Sequence, residues 1–188
     1  CWICSGPWSE HGTSWYQCHR YDEKSGTEAR DAQEKSRASL NRYLHYFNRY
    51  ANHEQSARLD RGLYSAIEKK MDEMQITSDL SWIEVQFLKK AADTLTECRM
   101  TLKWTYAMAF YLARNNMTEL FEDNQRDLEH AVESLSWYLG QPIEKKTIPV
   151  LRQKVTDLTA YVHKRREILL SDTIQGYQEG RWRWNVAV

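Results

Sequence analysis

The sequence predicts an all-α protein in which helices pack side by side behind a short cysteine-rich loop. Turn residues are scarce, because the 188 residues include only 7 glycines and 3 prolines, too few for the many turns of a β-sheet protein. Apolar residues recur every three or four positions over most of the chain, which is the spacing of helices with one buried face. Four or more long helices joined by short polar loops predict an elongated antiparallel bundle.

The loop in front of the helices has the residues of a zinc site. Cys1 and Cys4 have the two-residue gap of a zinc knuckle, and His11 and Cys18 follow at gaps of six residues. Three thiolates and one imidazole fill a tetrahedral Zn²⁺ site, so the ion is expected to be structural and not catalytic. His19 is an alternative nitrogen ligand, and buried thiols or a disulfide are the alternative to a metal. We favour Zn²⁺ held by Cys1, Cys4, His11 and Cys18, which makes this segment a short zinc-binding loop.

The first half of the chain predicts two helical regions. Between about residues 27 and 77 we expect two helices or one long kinked helix. Its buried face is expected to consist of apolar residues at three- and four-residue steps: Leu40, Tyr43, Leu44, Phe47, Tyr50 and Ala51. The strongest period starts at Ser81 and lasts about eight turns, with these apolar positions: Val85, Leu88, Ala92, Leu95, Leu102, Tyr106, Ala109 and Leu112. A second apolar flank predicts that this helix is central: Trp82, Phe87, Trp104, Phe110 and Tyr111.

Capping residues predict the two remaining helices. Asn116 and Glu119 have the spacing of a capping box, and Gly140 is placed where a left-handed cap is expected. The last helix is expected to carry Pro149 in its first turn. The Trp-rich tail, residues 181–188, either docks on the bundle or frays.

Charge and hydropathy argue against two classes of function. The 26 basic and 26 acidic residues cancel and are mixed along the chain, so no basic stripe is available to bind nucleic acid. No stretch approaches 18 uninterrupted apolar residues, so no membrane-spanning helix is expected.

Cysteines in a metal-binding pattern indicate a reducing compartment, the cytosol or the nucleus. Because the sequence has no initiator methionine, we expect a piece of a longer protein.

The helices carry no motif of a hydrolase or a kinase. Cys98 is expected to be a buried, inert thiol, because no histidine lies one turn away to activate it. Four isolated histidines are expected at surface or capped positions: His45, His53, His130 and His163.

Three glutamates form the sharpest polar feature of the helices. Glu122, Glu129 and Glu133 are spaced by seven and four residues, which aligns them along one stripe. Arg126 falls inside the stripe and can pair with Glu122 or Glu129. The favoured interpretation is a solvated face. The alternative is an acidic strip that grips a basic surface of a partner protein.

The sequence also resembles a known family over most of its length, up to about Arg166. Two runs in the loop, Cys1–Gly12 and Trp15–Tyr21, are similar to the end of the catalytic RING2 (Rcat) domain of the Ariadne RING-between-RING ubiquitin ligases. The helical part resembles the Ariadne domain that follows in those enzymes, through these runs: Ala29–Glu34, Arg42–Leu44, Asn48–Tyr50, Ser81–Lys90 and Leu120–Glu122. The resemblance implies that residues 1–20 end the Rcat domain, 21–27 are a linker, 28–180 form the Ariadne domain and 181–188 are a tail.

The resemblance implies a mechanism and a set of partners. In the family, a ubiquitin-loaded E2 delivers ubiquitin to a cysteine of Rcat, which passes it from a thioester to a substrate lysine. That cysteine lies upstream of the position of Cys1, so this chain lacks it and is expected to be inactive alone. The four metal ligands Cys1, Cys4, His11 and Cys18 match the last zinc site of Rcat.

The Ariadne domain in the family folds back on its own Rcat domain and inhibits it, until a neddylated cullin–RING ligase binds and releases it. The positions that hold the closed state match Leu59, Asp60, Glu122 and Glu133. Leu59 stands where the family has an aromatic residue, and Asp60 stands where it has a longer acid. The alternative function is a non-catalytic, zinc-stapled helical module for protein interactions.

Overall fold

Helices account for nearly all of the chain that the structure describes. The structure is a computed structural model, and it describes residues 32–78, 80–142 and 144–185. Its helices are α1 (Ala32–Ser78), α2 (Trp82–Val85), α3 (Phe87–Tyr111), α4 (Asn116–Gly140) and α5 (Ile148–Gln178). The predicted all-α class and the four long helices are confirmed. The predicted zinc-binding loop lies outside the described residues.

Consecutive long helices run in opposite directions over α1, α3 and α4. The contacts that establish this are Arg42 with Phe110, Tyr64 with Asp93, Arg99 with Ser136 and Tyr106 with Glu129. Helix α3 contacts α1, α4 and α5, and α4 also contacts α5. The central position predicted for this helix is therefore confirmed. Helices α1 and α4 lie side by side on α3 and run parallel to each other.

The core follows the predicted period of α3 closely. All eight positions of its apolar series are buried, from Val85 to Leu112. The predicted second flank is wrong for Trp82, Trp104 and Tyr111, whose side chains are exposed. The helix is also interrupted, because Gln86 separates the short α2 from α3. Aromatic side chains at the edge of a contact stripe extend past the neighbouring helices, and helical period alone does not show where those neighbours end.

Helix α1 is one uninterrupted helix of 47 residues, so the alternative of two helices is wrong. Its predicted apolar face is wrong for Leu40, Tyr43, Leu44 and Phe47, which are exposed. The buried stripe instead repeats every seven residues: Tyr46, His53, Asp60, Ile67 and Met74. Two turns of a helix span about seven residues, so these side chains share one face. That face is polar in the first half of α1, which explains why a search for apolar periodicity missed it.

Helix ends agree with the sequence in part. Pro149 lies in the first turn of α5, as predicted. Asn115, and not Asn116, caps α4, because its Oδ1 accepts hydrogen bonds from the backbone N–H groups of Met117 and Thr118. Gly140 is the last residue of α4 and does not adopt the left-handed conformation predicted for it. Among the described glycines, the left-handed conformation occurs at Gly180, with φ of 66°.

The tail docks against the bundle as far as residue 185. After Gly180 the chain turns back, and the Trp182 side chain is buried with its indole Nε1 donating to the carbonyl of Thr173 at 2.9 Å. The Trp182 ring packs edge-on against Phe121, with centroids 5.7 Å apart. Two backbone hydrogen bonds and a β-bridge from Leu112 to Trp184 tie the tail to the α3–α4 connection. None of the described helices is both long and apolar enough to cross a membrane.

Candidate protein-interaction site

Three of the four residues predicted to hold an inhibited state lie together on the surface. Leu59, Asp60 and Glu133 line one open concavity of about 410 Å³ between α1 and α4. We refer to it as the α1–α4 groove. Its complete lining is Ser56, Leu59, Asp60, Arg99, Glu133, Ser136, Trp137, Gly140 and Gln141. Residues distant in the sequence thus form one site, because α1 and α4 run parallel on α3.

Arg99 forms the floor of the groove and connects three helices. Its Nε lies 2.9 Å from Asp60 Oδ2 on α1, although the two atoms lack the alignment of a hydrogen bond. On α4, one terminal nitrogen donates to Ser136 Oγ at 3.0 Å, and the other lies 3.7 Å from Glu133 Oε1. The Arg99 side chain is 6% exposed. A buried guanidinium between two carboxylates therefore links α1, α3 and α4.

Both carboxyl groups of the floor hold their protons more tightly than exposed acids do. Burial raises the pKa of Asp60, and the nearby Arg99 guanidinium opposes this rise. The pKa of Glu133 is also raised, chiefly by burial, and the neighbouring carboxylates of Glu129 and Asp60 raise it further. Arg99 and His53 oppose this second rise. The direction of both shifts means that one guanidinium does not fully offset the cost of burying these acids.

A second polar group lies next to the floor and corrects two predictions. Glu129 is almost completely buried and accepts a hydrogen bond from the Tyr106 hydroxyl at 2.8 Å. Its other oxygen lies 2.8 Å from His53 Nε2, and the His53 ring stacks on that of Tyr106. The glutamate stripe is therefore not a solvated face, and His53 is not a surface residue. Buried polar side chains are retained where partners satisfy them, which these aromatic hydroxyl and imidazole groups do.

Glu122 lies apart from the α1–α4 groove. It is largely buried three turns before Glu133, and its Oε1 accepts a hydrogen bond from the Tyr46 hydroxyl at 3.3 Å. Arg126, which was expected to pair with Glu122 or Glu129, instead pairs with Asp123 at 3.3 Å. The predicted strip thus divides into a buried contact at Glu122 and an accessible part at Glu133.

Two residues of the groove were missed from the sequence. Trp137 is 60% exposed and, with Leu59 at 70%, forms an apolar rim around the charged floor. Arg99 could have been found from the sequence, because it is a basic residue within the most regularly apolar helix of the chain. Such a residue either reaches solvent or meets buried acids. Exposed aromatic side chains such as Trp137 are enriched on surfaces that another protein covers.

One cysteine, Cys98, lies in the part of the chain that the structure describes. Cys98 is fully buried, and burial raises the pKa of its thiol to about 12. This confirms the expected inert thiol, because the thiolate is the reactive form. Within the part of the chain that the structure describes, no group of three or more histidine, cysteine or acidic side chains could hold a metal ion.

Comparison with known proteins identifies relatives along the whole chain. Residues 41–167 match the family model of the Ariadne domain. The chain is 62% identical over 188 residues to the E3 ubiquitin-protein ligase dbl4 of Schizosaccharomyces pombe. This match covers 100% of this chain and 37% of the relative. It is 52% identical over 184 residues to ariadne-1 of Drosophila melanogaster, an E3 ubiquitin-protein ligase, covering 98% of this chain and 36% of the relative.

The human E3 ubiquitin-protein ligase ARIH1 is 51% identical over 184 residues, covering 98% of this chain and 33% of the human protein. The chain thus spans about a third of the length of these three relatives.

Proposed function

The chain belongs to the Ariadne-domain family, and from this we propose that it is the regulatory part of a RING-between-RING E3 ubiquitin ligase. In this proposal the helices hold the catalytic Rcat domain of the same protein in an inhibited state. Ubiquitin transfer passes through a thioester on an Rcat cysteine that precedes Cys1, with ubiquitin supplied by a loaded E2. Binding to a neddylated cullin–RING ligase releases the inhibition.

The observation that carries the proposal is the α1–α4 groove. Three of the four family positions for the closed state, Leu59, Asp60 and Glu133, meet there around an exposed apolar rim. The rim supplies apolar area for a docked domain, and the charged floor supplies specificity. The fourth position, Glu122, is buried against Tyr46 and is proposed to act by holding α4 in place beside α1.

We further propose that Cys1, Cys4, His11 and Cys18 hold a structural Zn²⁺ ion. The donor set supports this, because three thiolates and one imidazole satisfy all four positions of a tetrahedral ion. These residues lie outside the described part of the chain, and the metal takes no part in the chemistry proposed for the helices.

Replacing Leu59 by glutamate in the full-length ligase is expected to raise ubiquitin transfer. The change removes apolar area that the docked domain is proposed to cover and puts a charged side chain in its place, which costs desolvation, while Leu59 is exposed enough to tolerate the change. We expect transfer to increase by about fivefold or more, the lower end of typical coupling between sites. The measurement is the rate of ubiquitin discharge from a loaded E2 in the absence of a cullin partner.

The matched control for this experiment is Ile76→Glu. Ile76 is 83% exposed on the same helix and does not line the groove. The Ile76→Glu variant is expected to leave the rate of ubiquitin transfer unchanged. Equal rates for the Leu59 variant and the unchanged protein would contradict an inhibitory role for the groove, and would favour a non-catalytic interaction module if the full-length protein also forms no thioester.

The isolated chain is expected to take no ubiquitin from a loaded E2. The Cys98 thiol is buried and inaccessible, and it is almost entirely protonated near neutral pH because its pKa is raised to about 12. The other cysteines are the proposed zinc ligands. Incubation with a ubiquitin-loaded E2 and separation without reductant tests this, with Cys98→Ala as the control. A reducible ubiquitin adduct that disappears in the Cys98→Ala variant would show that the cysteine is reactive.

A further inference from the structure

We propose that the α1–α4 groove receives a basic side chain, best an arginine, from the protein surface that docks there. This inference rests on the proposed function, in which the groove is a docking site, and adds the chemistry of the docked residue. The occupant is a cationic side chain next to an apolar patch, which matches a charged floor inside an apolar rim. Charge, hydrogen bonding and ring geometry support it separately.

The first support is an imbalance of charge. Asp60 and Glu133 each lie near Arg99, the permanent cation of the floor. Glu129 is close to Glu133 but contacts His53 and the Tyr106 hydroxyl instead of Arg99. Two carboxylates therefore share one guanidinium. A second cation would complete the charge balance of this cluster, and its desolvation would be offset by carboxylates that are already held in place.

The second support is the way in which the three guanidinium nitrogens of Arg99 contact different partners. Its Nε faces Asp60, which is 8% exposed, and one terminal nitrogen donates to Ser136. Glu133 is left with a contact of 3.7 Å, longer than a hydrogen bond. Asp60 Oδ2 is buried against Arg99 Nε and is not accessible from the groove. The acceptor capacity that Arg99 does not use therefore lies on Glu133, whose side chain is 25% exposed at the groove.

The third support is the Trp137 ring at the rim. Aromatic faces attract cations, and guanidinium groups stack well on them. Two of the five tryptophans in the described residues have such a partner: Lys103 lies 4.9 Å from the Trp104 ring centroid, and Arg181 lies 5.8 Å from that of Trp182. No lysine or arginine of the described chain lies over Trp137. An arginine that pairs with Glu133 can therefore stack on an open ring.

The test uses N-acetyl-arginine amide as the probe and N-acetyl-citrulline amide as its neutral isostere. Both are titrated into the 188-residue chain, and the indole N–H resonance of Trp137 is followed by NMR after assignment with Trp137→Phe. We expect a saturable shift with the arginine probe and an affinity about fivefold weaker with citrulline, because charge-assisted hydrogen bonds exceed neutral ones by about 1 kcal/mol. The resonance of Trp104, which already has a cation, is expected to stay in place.

Two variants make the result specific to the groove. Glu133→Gln keeps the shape of the side chain and is expected to abolish the preference for arginine over citrulline. Glu144→Gln, at an exposed position outside the groove, is expected to preserve it. Equal responses to both probes, or no response of Trp137 to either, would overturn the inference.

The outcomes also separate this inference from the proposed function. If arginine binding is absent while Leu59→Glu still raises ubiquitin transfer, the groove is inhibitory but does not seat a cation. If arginine binds at Trp137 while Leu59→Glu leaves transfer unchanged, the groove seats a cation but the proposed inhibition is wrong.

Discussion

Replacing Arg99 by methionine is expected to destabilise the protein by about 3–5 kcal/mol, because it leaves the buried Asp60 and the partly buried Glu133 without their cation. Asp60 loses its ion pair, Glu133 loses its nearest positive charge, and Ser136 loses a hydrogen-bond donor. Methionine has a similar length and apolar stem, so lost packing contributes little. The measurement is urea unfolding followed by far-ultraviolet circular dichroism.

Two controls identify charge as the cause. Adding Asp60→Asn and Glu133→Gln to Arg99→Met is expected to restore part of the stability, since the acids that needed the cation are then neutral. The second control is pH. Asp60 and Glu133 have raised pKa values in the folded state, so the stability they contribute is present at low pH and is lost as pH rises through those values.

The loss caused by Arg99→Met should follow the same dependence on pH. Without the guanidinium both pKa values rise further, so the loss should be larger at neutral pH than at acidic pH. An equal loss at both, with no recovery in the triple variant, would show that packing and not charge is responsible.

Replacing Trp182 by alanine is expected to cost about 3–5 kcal/mol, the usual range for removing a buried large aromatic side chain. The ring is 6% exposed, contacts Phe121 and donates to the carbonyl of Thr173. Its loss should detach the tail from the α3–α4 connection. The matched control is Trp184→Ala, because Trp184 lies two residues further along the same tail and is 45% exposed. Thermal unfolding of the two variants should differ clearly, and equal losses would contradict the docking described for Trp182.

A pair of glycines tests the same contact from the other side. A Cβ atom at Gly176 would lie 2.6 Å from the Trp182 ring, whereas a Cβ at Gly62 would meet nothing within 4 Å. Gly62→Ala is therefore expected to stabilise α1 by up to about 1 kcal/mol through helix propensity. Gly176→Ala should destabilise by about 1–3 kcal/mol despite the same gain in propensity, because a rigid ring has to move. Changes of the same sign at both positions would rule out this account.

The sequence was most informative where a helix buries a regular apolar face. The apolar positions predicted from Val85 to Leu112 are all buried, because each of them faces a neighbouring helix. The first turn of α5 was also predicted correctly, because a helix tolerates proline at few positions other than its first turn. The face of the first half of α1 could not be found this way. Its inward residues Tyr46, His53 and Asp60 are polar, and they are buried because partners on other helices satisfy them.

The groove likewise contains residues that could be predicted from the sequence and residues that could not. Leu59, Asp60 and Glu133 came from the family resemblance, which assigned them a shared role without their geometry. Arg99 and Trp137 join them only through the packing of α1, α3 and α4, which no local period encodes. Glu129 was expected in solvent because glutamates usually are, and its burial depends on the hydroxyl of Tyr106 and the ring of His53.

The polar contacts between α1 and α4 also fix the axial register of these parallel helices. A slide of α1 by one turn, about 5.4 Å, would separate Tyr46 from Glu122 and His53 from Glu129 at the same time. Aliphatic seams tolerate such a slide because one methyl contact can replace another, whereas a buried carboxylate left without its partner is costly. Leu59 and Glu133 lie on different helices, so their spacing is set by this register. The spacing of the groove walls on α1 and α4 is therefore expected to stay constant, and a protein that docks there would meet a fixed arrangement of side chains.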